Sequence, residues 1–315
     1  MRTQQYYYGT VFNGGTGDDQ LYGSSYSDTY LFKLGDGQNT LYETTTKRGV
    51  RDLLIFDSGI NSEDISVSRT GLDLFLNHSN GTDKVIIHNW YKSVTSQIEI
   101  IQFADGTEWA GSTIHELGLI VNGTAGDDYI AGVSTFTNTL NGLSGDDIIV
   151  AASDGDKVTG GTGNDTLSAN GYIDNITLDG GEGNDRLTSS KWGRGAILNG
   201  GTGDDTLISG SGGQDVILNG GTGDDQLQGS FKTDTYLFNL GDGQDTIYET
   251  WSSIGVLDTL IFGTGINSED LSVSRIGLDL LLSHSNGSDK VTIHNWYNST
   301  HNQIELVQFA DGTEW

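Results

Sequence analysis

Between residues 122 and 248, apolar residues follow a short polar phrase that recurs along the chain. Each phrase has six residues, is rich in glycine and ends in an acid, and an isoleucine or leucine stands two residues after that acid. Glycine supplies turn conformations that are closed to other residues, and the apolar residue lies in a short strand with one side chain pointing inward. The pattern therefore predicts a series of turns and short strands around a thin core.

The phrases are spaced at a nearly constant period. Their final acids lie 19, then 18, then repeatedly 20 residues apart. A period of this size is the signature of a solenoid in which coils stack on one another. We therefore predict an all-β fold, a parallel β-roll or solenoid. The final acids are Asp128, Asp147, Asp165, Asp185, Asp205, Asp225 and, in a weaker phrase, Asp245.

A second pattern, the alternation of apolar and polar residues, occurs nearer the ends of the chain. Residues 72–77 and 84–90 alternate around Asn80-Gly81, a turn that favours positive φ, and this predicts a β-hairpin. Residues 52–56 read as a further strand, and residues 61–64 as a turn or one helical turn.

This patterned segment is duplicated. Residues 11–109 align with residues 217–315 at a constant offset of 206 without a gap, and roughly 70 of the 99 aligned residues are identical. The duplication predicts a small β module at each end of a central solenoid. The predicted divisions are an N-terminal extension (1–10), a short β-roll with the first module (11–109), a connector (110–121), the central β-roll (122–216) and its continuation with the second module (217–315).

The composition favours thin cores over one large core, since only 34% of the 315 residues are hydrophobic and 47 are glycine. The formal net charge of −28, from 43 acids and 15 basic residues, argues against nucleic acid and anionic membrane surfaces as partners. There is no cysteine to form a disulfide, and no apolar stretch approaches the ~18 residues of a membrane span. The start lacks a signal-peptide core and the chain stops inside a repeat unit, so we expect a piece of a longer protein.

Stacked acids need a cation between them. Neighbouring strands lie ~4.8 Å apart, so the acid of one phrase lies over that of the next, together with carbonyl oxygens of the glycine turns. Carboxylates with several carbonyls form an all-oxygen cage that suits Ca²⁺ better than Mg²⁺, which demands a strict octahedron. We expect about seven Ca²⁺ ions in one main column, and their added charge of about +14 couples folding to metal binding.

The phrases resemble the Gly-Gly-x-Gly-x-Asp-x-aliphatic-x nonapeptide of RTX (repeats-in-toxin) proteins, whose right-handed parallel β-roll binds calcium between coils. The resemblance implies that each ion takes the carbonyls of positions two and four and the Asp of one coil, with the carbonyls of positions one and three and the Asp of the next. Coils of that family usually have eighteen residues, whereas most here have twenty. The implied ligands are Gly15, Gly17, Asp19, Leu34, Asp36, Asn39, Thr124, Gly126, Asp128, Gly142, Leu143, Ser144, Gly145, Asp147, Gly160, Gly161, Thr162, Gly163, Asp165, Gly180, Gly181, Glu182, Gly183, Asp185, Gly200, Gly201, Thr202, Gly203, Asp205, Gly220, Gly221, Thr222, Gly223, Asp225, Leu240, Asp242 and Asp245.

The half-turns between the phrases are degenerate. We expect this opposite edge to bind few ions, with Asp215 and Asp234 as its weaker ligands. In the first copy Asn39 stands where the second has Asp245, and an amide offers one oxygen and no charge, so the last site of that copy should be weaker. The matching position of the half-turns is occupied by Asn138, Asp156, Asp174, Gly195, Asp215 and Asp234, most without the glycines.

The segment after each short roll looks like the haemolysin-type calcium-binding-related domain that often follows RTX repeats, with residues 98–109 as a strand, an Asp-Gly turn and a strand start. Both copies contain a His-Asn-Trp-Tyr sequence, with Trp90 and Trp296. An exposed Trp-Tyr pair would suit a sugar ring, whereas buried aromatics would fill the small core of the module. We favour the core interpretation.

No nucleophile elbow or P-loop occurs, and His115-Glu116 lacks the second histidine of a zinc protease helix. We therefore predict a non-catalytic calcium-binding region of a larger secreted bacterial protein of the adhesin or surface-protein type. The RTX resemblance implies export by a one-step type I exporter, and the scarcity of calcium inside a bacterium implies folding outside the cell. The alternative is a carbohydrate-binding accessory module of a secreted polysaccharide-active enzyme, whose partner would be an extracellular glycan or a cell-surface component.

Overall fold

The computed structural model describes residues 9–44, 50–249 and 255–315. These residues form short β-strands, one seven-residue α-helix and four 3-10 turns, as the sequence pattern predicts for an all-β fold. The strands are β1 (Val11–Asn13), β2 (Gln20–Tyr22), β3 (Thr29–Phe32), β4 (Gln38–Tyr42), β5 (Leu53–Phe56), β6 (Ile65–Thr70), β7 (Asp73–His78), β8 (Lys84–Ile87), β9 (Ile100–Gln102), β10 (Glu108–Ala110), β11 (Ile120–Asn122), β12 (Tyr129–Ala131), β13 (Thr139–Ser144), β14 (Ile148–Ala151), β15 (Lys157–Thr162), β16 (Thr166–Ala169), β17 (Thr177–Glu182), β18 (Arg186–Thr188), β19 (Ile197–Thr202), β20 (Thr206–Ile208), β21 (Val216–Thr222), β22 (Gln226–Gln228), β23 (Asp234–Phe238), β24 (Gln244–Tyr248), β25 (Thr259–Phe262), β26 (Leu271–Ile276), β27 (Asp279–His284), β28 (Lys290–Ile293) and β29 (Leu306–Gln308); the helix is α1 (Gly111–Leu117), and the 3-10 turns are Ser62–Asp64, Val94–Ser96, Ser268–Asp270 and Thr300–Asn302.

The chain divides into two compact units, Met1–Val121 and Asn122–Trp315. Counted over both units, there are about 12 solenoid coils. Of the predicted N-terminal extension (1–10), residues 1–8 lie outside the described residues. The other predicted divisions stay predictions.

The second unit is a parallel β-solenoid with two sheets. One sheet contains, in order, β13, β15, β17, β19, β21, β23, β25 and β29, and the other contains β12, β14, β16, β18, β20, β22, β24 and β28. Successive strands pair in parallel and in register, so that Leu178, Leu198 and Leu218 lie directly over one another, each fully buried. The apolar residues that follow the phrases stack in the same way, with Leu187, Leu207 and Leu227 in register and buried, and such ladders form the predicted thin core.

An antiparallel hairpin closes this solenoid. Strand β28 continues the parallel stack beside β24, and β27 and β26 then follow as antiparallel neighbours. The predicted hairpin around the Asn-Gly turn is confirmed in both copies, with Leu76 opposite Val85 in the first and Leu282 opposite Val291 in the second. Strands β6 and β26 were not predicted, although residues 65–69 alternate apolar and polar side chains.

The first unit repeats the arrangement with fewer coils. One sheet has the order β1, β3, β5, β9 and β10, and the other has the order β2, β4, β8, β7 and β6. Tyr30, Leu54 and Ile101 stack in register in the first sheet and are buried. The predicted connector contains α1, whose Ile114 is fully buried.

Candidate metal centre

The final acids of the phrases form a ladder along one edge of the second unit. The backbone N–H of Asp165 donates to Oδ1 of Asp185 at 2.7 Å, and that of Asp185 donates to Oδ1 of Asp205 at 2.7 Å. The same link joins every neighbouring pair from Asp128 to Asp245, at 2.7 to 3.2 Å. One oxygen of each carboxylate from Asp147 onward is therefore committed to the backbone of the preceding coil.

The second oxygen of these carboxylates is buried and has no protein partner. Oδ2 of Asp147, Asp165, Asp185, Asp205, Asp225 and Asp245 accepts no hydrogen bond from any described residue. An unsatisfied buried acceptor costs ~1–3 kcal/mol, and more when charged. Burial in the first place, and neighbouring carboxylates after it, raise the pKa of Asp205 to about 7 and that of Asp245 to about 9. A row of buried, unpaired and mutually repelling oxygens is the donor set that a divalent cation would satisfy.

The glycines before each Asp bring further oxygens to the same place. A Cβ added to Gly200 would collide both with Oδ2 of Asp205 and with the carbonyl oxygen of Gly220, so these oxygens of successive coils converge on one point. Gly201 and Gly203 have φ of +116° and +120°, and a Cβ on either would meet a carbonyl oxygen of the preceding coil. Only glycine permits both this backbone conformation and this approach. The position-one carbonyl and the Asp that the RTX resemblance pairs are thus brought together.

The carbonyl oxygen of the third residue of each phrase already accepts one backbone hydrogen bond. Gly183 N–H donates to the carbonyl of Thr202 at 2.8 Å, and Gly203 N–H donates to that of Thr222 at 2.9 Å. A carbonyl oxygen has two lone pairs, so each of these oxygens keeps one for a ligand.

The first phrase of the second unit differs from the others. Oδ2 of Asp128 accepts hydrogen bonds from the backbone N–H of Thr124 at 2.6 Å and from its hydroxyl at 2.9 Å. Gly126 does not have the left-handed φ of the glycines at the same position in later coils. The oxygen that is unpaired elsewhere is therefore already occupied at this end of the ladder.

The first unit contains a shorter ladder in which an amide replaces one carboxylate. Asp19 N–H donates to Oδ1 of Asn39 at 3.0 Å, as each Asp does to the next in the second unit. Nδ2 of Asn39 is buried without a described partner, in the place of the unpaired carboxylate oxygen. A donor at this place cannot bind a cation, so a weaker site is still expected here.

Leu143 occupies a glycine position of the cradle. Its φ is +82°, whereas Gly161, its register partner in the next coil, has +122°. Left-handed backbone costs an L-residue ~1–2 kcal/mol, and glycine's extra unfolded-state entropy returns ~0.5–1 kcal/mol of this.

We expect Leu143→Gly to raise the free energy of unfolding of the calcium-loaded chain by up to about 1 kcal/mol, measured by urea denaturation. Leu240→Gly is the matched control, because Leu240 is also an exposed leucine of a phrase but has no left-handed φ. That variant should be no more stable than the original chain. Equal effects of the two substitutions would contradict the assignment of strain to Leu143.

The opposite edge differs from the prediction. In the twenty-residue coils the column position of this edge is held by Ile176, Ala196 and Val216, each at most 2% exposed. The backbone hydrogen bonds identify this position, since Ile197 N–H donates to the carbonyl of Ile176 and Ile217 N–H donates to that of Ala196. Asp174, Gly195 and Asp215 precede this position, and Asp215 is exposed with φ of +56°. The structure therefore places Asp215, which the sequence suggested as a weaker ligand of this edge, outside the column position.

The spacing along the chain explains the error. Asp156 and Asp234 follow the preceding ladder acid by nine residues and lie buried at the column position. In the other coils the residue at the column position follows the ladder acid by eleven residues. The two extra residues leave the nearby acids outside the column position. Asn138, at ten residues, is also buried, and its backbone N–H donates to Oδ1 of Asp156 at 2.6 Å.

Two sets of residues near the ladder were missed. The fifth residues of the phrases form an outer ladder in the reverse direction, in which Asp204 N–H donates to Oδ1 of Asn184 at 2.9 Å. Their sequence signal is an Asp or Asn at the fifth position of each of the six full phrases. Asp289 of the hairpin turn, and Asp83 in the first copy, are buried and accept the N–H of Gly241 and Gly35 at 2.6 Å. They close the end of each ladder.

The aromatic pair of the first module is not a sugar platform. Trp90 is fully buried, its Nε1–H donates to Nδ1 of His115 at 3.0 Å, and the Tyr91 hydroxyl donates to the carbonyl of His115 at 2.9 Å. Trp296 in the second module is partly buried. The core interpretation is confirmed for Trp90.

No helix within residues 9–44, 50–249 and 255–315 is long and apolar enough to cross a membrane.

Two family models match the chain, and together they cover about half of it. The RTX calcium-binding nonapeptide repeat (4 copies) matches residues 13–42, 134–171 and 177–190. The haemolysin-type calcium binding protein related domain matches residues 73–113 and 279–315.

Among solved structures, the chain is similar to the extracellular lipase LipA from Serratia marcescens, with 18% sequence identity and a TM-score of 0.24. The match covers 90% of this chain and 35% of the lipase chain, so the chain spans about a third of that protein's length. The family matches and the duplicated modules show that the chain belongs to the RTX calcium-binding β-roll proteins and carries two haemolysin-type calcium-binding-related domains.

Proposed function

We propose that this chain is a non-catalytic, structural region of a larger secreted bacterial protein, and that it folds when calcium enters the ladder outside the cell. The observation that carries the proposal is the row of buried Oδ2 atoms without protein partners. Each Ca²⁺ would lie between two coils and take one such oxygen from each, together with carbonyls of the glycine turns. About seven such ions would fill the ladder of final acids in the second unit and the shorter ladder in the first.

The charge of the chain supports coupling between folding and export. With a formal net charge of −28, the metal-free chain repels itself and its ladder acids oppose burial. Calcium is scarce in the cytoplasm and near millimolar outside, so the chain would stay extended until it has left the cell. A parent protein of the adhesin or surface-protein type, exported by a one-step type I system, fits this behaviour.

The proposal of a non-catalytic role rests on the buried acids. The conspicuous acid pairs of the phrases serve as acceptors in the two ladders, where the fifth and sixth residues each bond to a neighbouring coil. A sugar-binding role lacks its aromatic platform in the first module, because Trp90 and Tyr91 are buried.

The concentration at which calcium folds the chain tests the proposal. Extracellular calcium modules have dissociation constants of ~10⁻⁴–10⁻³ M, so we expect the midpoint of calcium-induced folding, followed by circular dichroism, in this range. The ordered chain should resist a protease that cleaves the metal-free form. A midpoint below ~10⁻⁷ M, typical of cytosolic buffers, would mean that the chain folds before export and would refute the switch.

A further inference from the structure

A groove lies on the outer face of one sheet of the second unit, beside the turns that lead to the opposite edge. Its floor is formed by Thr188, Ile208 and Gln228, which lie in register on β18, β20 and β22. Residues 209–211 and Phe231 of the turns form its wall. Its volume is about 660 Å³, which is within the ~300–1,000 Å³ of ligand pockets. The groove therefore runs across several coils rather than along one strand.

The nonapeptide motif does not account for the turns beside this groove. Lys191 and Trp192 lie in a coil with eleven rather than nine residues between the ladder acid and the column position. A Cβ added to Gly212 would meet the Trp192 ring, so the indole lies against the backbone of the next coil. The centroid of the indole is 5.8 Å from that of Phe231, and Trp192 is still 42% exposed. The glycine and the second ring hold the indole in place and leave part of it accessible.

The same turns carry positive charge in an otherwise acidic chain. Lys191 lines the groove, and its Nζ is 5.8 Å from the centroid of the Trp192 ring. Lys232 has its Nζ 5.5 Å from the centroid of Phe231. Neither lysine forms an ion pair with a described residue, and no Asp or Glu is among the described residues that line the groove. Since charges more than ~8–10 Å away are largely screened at physiological ionic strength, the groove attracts an anion despite the net charge of the chain.

The spacing of the two lysines and the polar groups between them restrict the class of anion. The turns of Lys191 and Lys232 lie two coils apart, about 10 Å at the ~4.8 Å spacing of neighbouring strands, and this is close to the length of a disaccharide. The hydroxyls of Thr188 and Ser211 and the amide of Gln228 line the groove and form no side-chain hydrogen bond to a described residue. Such groups both donate and accept, as sugar hydroxyls do. Nucleic acid, with a charge on every nucleotide, needs more cations than these.

We propose that this groove binds an acidic polysaccharide that carries a carboxylate on every second sugar ring. The indole of Trp192 would stack on the C–H face of one ring, and Lys191 and Lys232 would bind carboxylates two rings apart. The hydroxyls and the amide of the groove would bond to the ring hydroxyls. This goes beyond the structural role proposed above, because the central roll itself would then attach the parent protein to an acidic matrix.

Calorimetric titration of the full, calcium-loaded chain tests this inference. The probe is a hexasaccharide of alternating glucuronate and N-acetylglucosamine rings, and the hexasaccharide of N-acetylglucosamine alone is its uncharged control. We expect the charged probe to bind more tightly than the control. Lys191→Gln/Lys232→Gln should weaken binding of the charged probe by about tenfold or more. Lys157→Gln, which removes an exposed lysine from the other sheet, should leave it unchanged.

The aromatic platform is tested in the same titration. Trp192→Leu should weaken binding of the charged probe by about tenfold. Tyr129→Leu is the matched control, because Tyr129 is 72% exposed and lies in the first coil of the unit, three strands from β18. It should bind the probe as the original chain does. Circular dichroism at saturating calcium checks that each variant is folded.

The salt dependence of binding to the original chain keeps the inference testable without any variant. Raising sodium chloride from about 0.1 M to about 1 M, which shortens the screening length from ~10 to ~3 Å, should weaken binding of the charged probe severalfold. No binding of this probe at millimolar concentration, equal binding of the uncharged control, or unchanged binding at high salt or in the double lysine variant overturns the inference. Binding of a short single-stranded DNA at least as tight as that of the probe overturns the assignment to a polysaccharide. Failure of calcium to order the original chain would instead refute the proposed function.

Discussion

Removing calcium with a chelator at pH 8 should unfold most of the chain. Without ions, the unpaired Oδ2 atoms of six ladder acids in the second unit remain buried and repel one another, and no large core compensates for them. The β signal in far-ultraviolet circular dichroism should disappear. The radius of gyration should rise toward the ~60 Å of an unfolded chain of this length. Readdition of calcium, but not of magnesium at the same concentration, should restore both signals.

Lowering the pH should weaken this effect of the chelator. In the metal-free fold, burial and then neighbouring acids raise the pKa of Asp185 and Asp225 to about 6 and that of Asp205 to about 7, above the ~3.9 of an unfolded chain. Such groups stabilise the fold fully below the unfolded pKa and lose this contribution as the pH rises through the folded value. The chelated chain should therefore be more ordered at pH 4 than at pH 8. Full order at pH 8 after exhaustive chelation would contradict the assignment of the ladder as a cation site.

Asp205→Asn and Asp185→Asn should each raise the calcium midpoint for folding by about tenfold or more. Each acid faces two neighbouring coils, so one substitution removes a charged ligand from two sites. Loss of an outer partner of a ligand alone costs ~10–100-fold in metal affinity, and loss of the ligand itself should cost at least as much. Circular dichroism during a calcium titration measures the shift.

Asp215→Asn is the matched control for these variants. Its side chain is exposed, and asparagine tolerates the φ of +56° that this residue adopts, so the calcium midpoint of this variant should stay within about twofold of the original. A shift at Asp215 as large as that at Asp205 would show that the ladder is not the main calcium column.

The period of the phrases was enough to predict the solenoid and the register of its ladder. A turn residue and an apolar residue recurring together leave few ways to stack the coils, and Leu187, Leu207 and Leu227 lie where this pattern places them. The hairpins followed from strict alternation and an Asn-Gly turn. Strands β6 and β26 were missed, although Ile65 and Val67 alternate with serine.

The opposite edge could not be predicted in the same way. Two extra residues per coil change which residue reaches the column, and an acid near the expected place, such as Asp215, gives no sign that Val216 occupies the column position. The buried position of Glu249 was also beyond the pattern. Its carboxylate accepts the hydroxyl of Tyr236, and only the packed structure shows that these two residues meet.

In the solenoid of the second unit, each parallel strand pairs only with the coils before and after it. Order along the roll can therefore pass from coil to coil only, as in a one-dimensional chain. A defect at any rung, such as the amide of Asn39 in the first unit, divides its stack into shorter segments that must persist independently. The length of uninterrupted ladder, rather than the total number of coils, then sets how robust the folded protein is.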